Sequence, residues 1–424
     1  MEKYRPRIAD RMLEAQLSAS GIVLIQGPKW CGKTTTAEQH ARSILYMDYP
    51  KTRASNLLLA ETDPQILFQG DTPRLIDEWQ LAPKLWDAAR FEVSHRGMPG
   101  QLIFTGSSVP PDMSELTHSG TGRVAWLTMR PMSLWESGDS SGKTSIGSLF
   151  KGDFASAKAD DIPLKELAYL VCRGGWPGSL ALTREAALLQ ASNYVDGVVH
   201  SDVSRADNVQ RDPEFTRRLL RSYARHQGQQ VPVSTIYDDL AQNGMPSMGQ
   251  DTIASYIQAL KKIFVIEDMP AWSPNLRSKT AIRVSDTRYF VDPSIAASAL
   301  GLGPDDLVYD LNTFGLLFET LAVRDLRIYA DALGGQVCHY RDKNGLECDA
   351  VIHLRDSSYG LVEIKIGGEQ LIESGAETLL KLSGKIDTKR MKEPSFLMIL
   401  TGIGQYAYRR KDGIYVVPVN CLKD

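Results

Sequence analysis

Short apolar runs alternate with helix-like stretches over residues 21–135 of the chain. Runs of this length are expected of strands that are buried on both faces of a parallel sheet. The stretches between them repeat apolar residues with the period of an amphipathic helix. This order predicts a three-layer α/β fold. The strands are expected at residues 21–25, 44–47, 74–76 and 102–105.

The middle of the chain has a helical pattern. Residues 155–226 show helical periodicity with one break, at the Gly-Gly-Trp-Pro-Gly sequence of residues 174–178, and predict a small helical lid. From residue 231 the order is helix, turn, helix and β-ribbon, which is typical of a winged-helix module. Its helices are expected at residues 232–240 and 251–260, and its strands at 264–266 and 288–291.

The last 120 or so residues return to an α/β pattern. Helices are expected at residues 314–329 and 371–384, and strands at 337–340, 347–354, 359–366, 396–401 and 414–419. We therefore expect four domains: an α/β core over residues 1–150, a helical lid over 151–230, a winged-helix-like module over 231–304, and a second α/β domain over 305–424.

Composition is that of an ordinary globular protein with several domains: 424 residues, 43% of them apolar and 23% charged. The formal net charge of −3 gives no overall attraction to nucleic acid, so DNA contact would need a local basic patch. No apolar run is long enough for a membrane span, and a charged amino terminus argues against a signal peptide. Five scattered cysteines without a C-x-x-C pair fit reduced thiols. We expect a cytoplasmic protein that makes no membrane contact.

Residues 27–34 match the phosphate-binding loop pattern G-x-x-x-x-G-K-[ST] in full, between a predicted strand and a predicted helix. Such a loop wraps backbone N–H groups around nucleotide phosphates, and the helix N-terminus adds a favourable dipole. Lys33 is expected to neutralise the β- and γ-phosphates, and the Thr34 hydroxyl to ligate Mg²⁺. The predicted nucleotide-binding residues are Gly27, Pro28, Lys29, Trp30, Cys31, Gly32, Lys33, Thr34 and Thr35.

A second nucleotide signature is the apolar strand that ends in Asp77 and Glu78. Asp77 would hold Mg²⁺, directly or through water, and Glu78 would polarise the attacking water as general base. The following strand ends in small polar residues, which in such sheets lie between the phosphate loop and the catalytic acid. Ser107 is the candidate γ-phosphate sensor, with Thr105 and Ser108 as alternatives; the competing interpretation is a strand-terminal turn.

Two arginines are candidates for reaching the γ-phosphate of a neighbouring subunit. Arg123 is preferred over Arg130 because flanking glycines suit an exposed position, and such a contact would stabilise transition-state charge and require assembly. A surface ion pair is the competing interpretation for Arg123. Cys31, inside the loop, is either an oxidisable thiol activated by the helix N-terminus or a small filler residue.

These motifs together resemble a large prokaryotic family of predicted AAA+-type ATPases with a C-terminal domain of unknown function. The resemblance spans nearly the whole chain and rests on Tyr4, Arg5-Pro6-Arg7, Asp10, the loop ending at residues 31–35, Leu75-Ile76-Asp77-Glu78, Thr105-Gly106-Ser107-Ser108, Gly122-Arg123 and Arg130-Pro131. It implies a P-loop NTPase core with a three-layer parallel sheet, a helical lid, a winged-helix module and a C-terminal α/β domain with a restriction-endonuclease-like fold. It also favours ATP as the nucleotide.

In the last domain, Asp349 followed by Glu363-Ile364-Lys365 fits the acid…[DE]-x-K pattern of the restriction-endonuclease fold. Two acids on adjacent strands would hold Mg²⁺, and the lysine would orient water and stabilise developing charge. Glu319 on the preceding helix is a candidate additional acid. The alternative is a buried ion network that joins two strands, although acids among apolar strand residues are costly to bury without a partner or metal.

Two functions fit this sequence. The first is a Mg²⁺-dependent ATPase, assembled as a homo-oligomeric ring with a hexamer as the candidate size, that couples hydrolysis to work on nucleic acid such as DNA. The second is a nucleotide-gated switch or scaffold that binds a protein partner and carries a vestigial nuclease fold. In the winged-helix candidate, the polar residues available for DNA are Ser255, Gln258, Lys261 and Lys262.

Overall fold

The computed structural model describes residues 4–107, 122–243, 249–272 and 285–424. The chain divides into two compact units. The first comprises Met1–Pro131, His200–Arg211 and Gln258–Val265, and the second comprises Met132–Val199, Asp212–Ile257 and Ile266–Asp424. Within the described ranges, none of the helices combines the length and apolar character needed to cross a bilayer.

The first unit is built on a five-stranded parallel sheet with the strand order β2-β3-β4-β1-β5. Its elements are α1 (Ile8–Ala19), β1 (Ile22–Gln26), α2 (Lys33–His40), β2 (Ser43–Tyr46), α3 (Arg53–Thr62), β3 (Arg74–Asp77), α4 (Leu85–Arg96), β4 (Leu102–Gly106) and β5 (Val124–Thr128). The four predicted strands lie within one residue of their expected bounds. Strand β5 was not predicted: its residues alternate in burial, but its sequence, Val-Ala-Trp-Leu-Thr, does not alternate between apolar and polar residues.

Apolar side chains cover both faces of this sheet, which gives the expected three layers. On one face Leu24, Ile76 and Phe104 pack in a cluster with the buried tryptophans Trp79 and Trp86. On the other face, strand residues of β1, β3 and β4 pack against helix α1 and the start of α2. Strand β4 lies between β1 and β3, so the ends of these three strands meet at one edge of the sheet.

The second unit begins with helices and very short strands. Its elements up to residue 310 are α5 (Leu134–Ser137), β6 (Thr144–Ser145), α6 (Ile146–Phe150), β7 (Ala157–Lys158), α7 (Leu164–Arg173), α8 (Arg184–Gly197), α10 (Pro213–Arg225), α11 (Val233–Gln242), α13 (Pro293–Leu300) and α14 (Pro304–Tyr309). Helix α9 (Val203–Arg205) belongs to the first unit, and α12 (Gln250–Lys262) contributes to both. The region predicted to be helical between 155 and 226 is indeed mainly helical.

The predicted helix–turn–helix corresponds to α11 and α12. The ribbon expected after it is reduced, among the described residues, to two antiparallel bridges, Ile266 with Phe290 and Met269 with Thr287. No continuous strand forms at 264–266, where Phe264 has a positive φ of 59°. The winged-helix interpretation therefore stays a prediction.

A seven-stranded mixed sheet dominates the end of the chain, in the order β7-β12-β13-β11-β10-β9-β8. Its elements are α15 (Leu311–Ala332), β8 (Gly335–Arg341), β9 (Glu347–Leu354), β10 (Tyr359–Lys365), α16 (Glu369–Lys385), β11 (Phe396–Thr401), β12 (Tyr406–Arg409) and β13 (Tyr415–Pro418), followed by β14 (Leu422–Lys423), which pairs with β6. Strands β8, β9 and β10 are antiparallel neighbours, whereas β10, β11 and β13 run parallel. Strand β7 joins through β12, so residues before 305 complete this sheet.

Candidate functional site

The phosphate-binding loop lies where β1 ends and α2 begins, as the sequence predicts. Gly27 has a φ of +151°, and a Cβ there would fall 2.0 Å from the backbone oxygen of Met129. Gly32 has a φ of +101° and precedes the first residue of α2, whose N-terminus has no side-chain cap. The uncapped N–H groups of this first turn are therefore available to an anion.

Lys33 lies inside the loop and is buried. Its ammonium group donates to the backbone oxygens of Gly27 at 2.9 Å and Pro28 at 2.7 Å. These two bonds hold the positive charge within the curve of the loop, where nucleotide phosphates would lie. The Lys33 ammonium therefore lies inside the loop, and its predicted contact with the β- and γ-phosphates stays a prediction.

Asp77 ends β3 beside the loop. Its Oδ1 accepts hydrogen bonds from the hydroxyls of Thr34, at 2.8 Å, and Thr105, at 2.5 Å. Burial raises the pKa of Asp77, and the two hydroxyl donors partly oppose that shift. The residues predicted to hold Mg²⁺, Thr34 and Asp77, are therefore in direct contact, and Thr105 completes the group.

Glu78 follows Asp77 in a left-handed backbone conformation, with a φ of +57°, which turns its side chain out of the strand direction. One carboxylate oxygen accepts a hydrogen bond from Gln80, and the other lies 3.4 Å from the Ser107 hydroxyl. Burial and the neighbouring Asp77 raise the pKa of Glu78. Ser107 therefore touches the candidate base, whereas its alternative Thr105 touches the candidate metal ligand. Ser108 lies outside the described residues.

The chemistry of these side chains fits a nucleotide-bound Mg²⁺. Among the described residues no group of three or more His, Cys, Asp or Glu is arranged to hold a metal ion. Mg²⁺ in nucleotide sites, however, takes only one or two protein oxygens, with the rest supplied by phosphates and water. Thr34 and Asp77 supply that number.

Residues near the amino terminus form a hydrogen-bond network with the phosphate loop and α2. This network was not predicted from the sequence. The buried guanidinium of Arg7 donates to the backbone oxygens of Cys31, at 2.7 Å, and Arg130, at 2.9 Å. Tyr4 donates to Asp10 and lies 3.0 Å from the Thr36 hydroxyl in α2. The Tyr4–Asp10 segment therefore fixes both the loop and the first turns of the helix that follows it.

The residues between the two glycines of the loop differ in exposure. Trp30 has a φ of +64° and is 55% exposed, and Lys29 pairs with Asp202 at 2.5 Å. Cys31 is fully buried in the core and lies 3.3 Å from the backbone oxygen of Met129. Its burial favours the filler interpretation over that of an oxidisable thiol.

The two candidate arginines lie at opposite ends of β5. Arg123 is exposed and precedes the strand, beside Ile22 at the start of β1. Five strand residues separate that end from the loop, or roughly 16 Å at 3.3 Å per residue. Arg130 follows the strand on the nucleotide side but is buried. The structure therefore does not bring Arg123 to the nucleotide site of its own chain.

A second cluster of charged residues lies in the last sheet. Lys365 on β10 contacts Asp349 on β9 at 3.0 Å and Glu363 at 2.7 Å. Glu319 on α15 is partly buried and accepts a hydrogen bond from Tyr289, which was not predicted to take part. Burial and the Asp349 charge raise the pKa of both Glu319 and Glu363 to about 8. The four predicted residues thus form one largely buried cluster, in which two of the carboxyls, Glu319 and Glu363, hold their protons more tightly than usual.

Three family models match parts of the chain, each covering less than half of it. An AAA domain matches residues 19–137, a domain of unknown function (DUF8612) residues 164–306, and another domain of unknown function (DUF4143) residues 314–422. No curated protein matches. The AAA match and the parallel sheet with its phosphate loop identify residues 19–137 as a P-loop ATPase domain.

Several solved structures resemble the chain at low identity. The Walker-type ATPase PABY2304 of Pyrococcus abyssi is 15% identical over 70% of this chain and 99% of that one, with a TM-score of 0.42. The Orc1 protein of Aeropyrum pernix in complex with DNA is 13% identical over 73% and 95%, with a TM-score of 0.22. Cdc6p of Pyrobaculum aerophilum is 12% identical over 76% and 97%, with a TM-score of 0.24. TM-scores this low carry no argument about function.

Proposed function

We propose that the protein is a Mg²⁺-dependent AAA+-type ATPase that assembles as a homo-oligomeric ring and couples ATP hydrolysis to work on nucleic acid. The observation that carries this proposal is the meeting of three groups at one edge of the parallel sheet: Lys33 in the loop, the Thr34–Asp77 hydrogen bond, and Glu78. Each of these groups has a separate role in phosphoryl transfer to water.

Binding would rest on the loop and on α2. Phosphate oxygens would replace the backbone oxygens of Gly27 and Pro28 as partners of Lys33, and the N-terminal N–H groups of α2 would supply further donors. Thr34 and Asp77 would hold Mg²⁺, which neutralises phosphate charge when bound.

Glu78 would accept a proton from the attacking water. Its raised pKa makes it a stronger base than an exposed glutamate, and the Ser107 and Gln80 contacts hold both of its oxygens in place. The partly buried surroundings of the Glu78 carboxylate therefore strengthen it as the proposed base.

Ring assembly is proposed because of the position of Arg123. Arg123 is exposed and lies at the end of the sheet opposite the nucleotide site. It could therefore contact only the γ-phosphate of a nucleotide bound to a neighbouring subunit. An arginine supplied in this way would make hydrolysis depend on assembly, with a hexamer as the candidate size. Arg130 is buried and is less suited to that role.

The link to nucleic acid rests on the last domain, for which we propose a restriction-endonuclease-like fold. The order α15-β8-β9-β10-α16-β11 places Asp349 and Glu363 on adjacent antiparallel strands, with Lys365 beside both. This is the arrangement that the acid…[DE]-x-K pattern predicts. Hydrolysis in the first unit would drive the nuclease-like or winged-helix module.

One observation favours the second candidate function, a nucleotide-gated switch or scaffold for a protein partner. Lys365 already pairs with both carboxyl groups that would otherwise attract a metal ion, and its charge balances one of them. A domain in this state could keep the nuclease fold without cutting, and would then be vestigial.

The test is the ATP hydrolysis rate of the purified protein with and without double-stranded DNA. Glu78→Gln is measured beside Glu61→Gln, an exposed glutamate paired with Lys84. A rate that DNA stimulates and that only Glu78→Gln removes supports the proposal. A rate that Glu78→Gln removes but DNA does not change favours the switch. Turnover that survives Lys33→Ala in clean protein would contradict both.

A further inference from the structure

A cleft of about 710 Å³ lies in the second unit and is not part of either site described above. Helix α10 forms one wall of it, and residues of α8 and α13 contribute to the rest. Helix α10 is strongly amphipathic. Phe215, Leu219 and Tyr223 are buried in the core, whereas the side facing the cleft carries arginines.

Four arginines of α10 line the cleft: Arg217, Arg218, Arg221 and Arg225. All four are exposed. Residues 217, 221 and 225 are spaced four apart and therefore form a single stripe along the helix, with Arg218 beside it. Against a chain whose net charge is −3, this is a local concentration of positive charge.

Three of these arginines form ion pairs with carboxylates, and a ligand could take the place of those carboxylates. Arg217 pairs with Asp196 at 3.0 Å and Arg218 with Glu214 at 2.9 Å, and the four side chains are between 43% and 62% exposed. Exposed pairs of this kind contribute little, so a phosphate oxygen can replace the carboxylate at low cost. Arg225 pairs with Asp239 at 2.5 Å.

Arg221 differs from its neighbours. Within the described part of the chain, its side chain has neither an ion pair nor a hydrogen bond. Counting the three paired carboxylates against the four arginines leaves one uncompensated positive charge, and it lies at the middle of the stripe. A guanidinium in this position is open to an anionic ligand.

The length of the stripe indicates what kind of anion fits. Eight residues of helix separate Arg217 from Arg225, or about 12 Å at 1.5 Å per residue. A single phosphate cannot meet groups spread over that distance. One nucleic-acid strand carries a phosphate about every 3.4 Å along a duplex axis, so 12 Å corresponds to a row of three or four.

We propose that this cleft binds the backbone phosphates of a nucleic-acid strand through the α10 arginines. This inference rests on one part of the proposed function, the work on nucleic acid, and it names the surface that would hold the strand. Contacts of this kind position a strand without reading its sequence, and their strength falls steeply with salt.

The test uses the full-length protein without nucleotide and a fluorescein-labelled 15-nucleotide single strand, or its duplex, in anisotropy titrations from 50 to 200 mM salt. The variants are Arg221→Gln and the double variant Arg217→Gln/Arg221→Gln. The control is Arg341→Gln: Arg341 pairs with Glu347 at 2.8 Å on the β8–β9 hairpin, at the same 47% side-chain exposure as Arg217. Thermal melting by circular dichroism checks that every variant is folded.

We expect the double variant to bind the oligonucleotide about tenfold more weakly at 50 mM salt. The slope of log affinity against log salt should fall by about one for each arginine removed, with the control unchanged. Equal affinity of the wild type and the double variant would overturn this inference, and would also be the result if the cleft took only a small phosphorylated molecule. Wild-type protein that binds neither oligonucleotide would overturn it as well. Neither outcome bears on basal ATP hydrolysis, which tests the ATPase separately.

Discussion

The hydroxyl of Thr34, in the first turn of α2, donates a 2.8 Å hydrogen bond to the carboxylate of Asp77 at the end of β3. This bond joins the two nucleotide-binding motifs, which are 43 residues apart in the sequence. A hydroxyl and a carboxylate in contact at the edge of the phosphate loop could supply the one or two protein oxygens that a nucleotide-bound Mg²⁺ takes, as proposed above.

Replacing Thr34 with valine keeps the shape of the side chain and removes the oxygen. We expect Thr34→Val to raise the Mg²⁺ concentration needed for half-maximal ATP hydrolysis by about tenfold, because one metal ligand is lost. Mg²⁺ titrations at fixed ATP measure this. The control is Thr62→Val at an exposed position on α3, whose hydroxyl bonds only to its own helix. An unchanged Mg²⁺ requirement in Thr34→Val would show that Thr34 is not a ligand.

Ser107 and Thr105 can be told apart because they touch different acids. The Thr105 hydroxyl bonds to Asp77, whereas that of Ser107 lies beside Glu78. We expect Ser107→Ala to lower kcat about tenfold with no change in ATP affinity, because it loosens the general base. Thr105→Val should instead shift the Mg²⁺ requirement, as Thr34→Val does. If Ser107→Ala leaves kcat unchanged, Ser107 neither holds the general base nor acts as the γ-phosphate sensor.

Arg7 ties the amino terminus to the phosphate loop through its bonds to the backbone oxygens of Cys31 and Arg130. Arg7→Ala would leave both buried oxygens without this donor, so we expect a loss of about 3 kcal/mol in the free energy of unfolding of the first unit. The loop would also be less ordered, and ATP affinity should fall. Urea unfolding and calorimetric titration with ATP measure the two effects. Arg7→Ala protein with wild-type stability would contradict this account of the network.

The sequence predicts the strands and the loop around the candidate nucleotide site because their signals are local. Strands β1 and β3 and the loop between β1 and α2 are short segments, each marked by its own residues, and the order of parallel strands brings their ends together. Glu363 and Lys365 are likewise two residues apart on one strand and therefore share a face.

What could not be predicted depends on contacts distant in sequence. The Arg7–Arg130 hydrogen bond spans 123 residues, and Tyr289 reaches Glu319 across 30. The two-residue strand β7 becomes an edge of the last sheet only through pairing with β12, about 250 residues later. Periodicity carries no information about such partners, because each depends on how separate elements pack.

The carboxylate cluster of the last sheet is expected to lower the free energy of unfolding as pH rises, which is the opposite of the usual effect of a carboxylate. Burial and the Asp349 charge raise the pKa of Glu319 from its ordinary 4.5 to about 8. Between those two values the folded protein holds a proton that the unfolded chain releases. Stability is therefore highest below pH 4.5 as far as this group is concerned, and it declines as pH rises toward 8. The slope for one such group is at most about 1.4 kcal/mol per pH unit.

Glu319→Gln keeps an oxygen that can accept the Tyr289 hydrogen bond but cannot release a proton. We expect the unfolding free energy of the second unit to fall less steeply between pH 5.5 and 8.5 in this variant than in the wild type. Glu363 keeps part of the slope, since its pKa is also raised to about 8. The control is Glu373→Gln: the Arg410 hydrogen bond lowers the pKa of this exposed glutamate, so it is ionised in both states throughout that range. Denaturant titrations at four pH values measure the slopes. Equal slopes for the wild type and Glu319→Gln would show that Glu319 is already ionised in the folded protein.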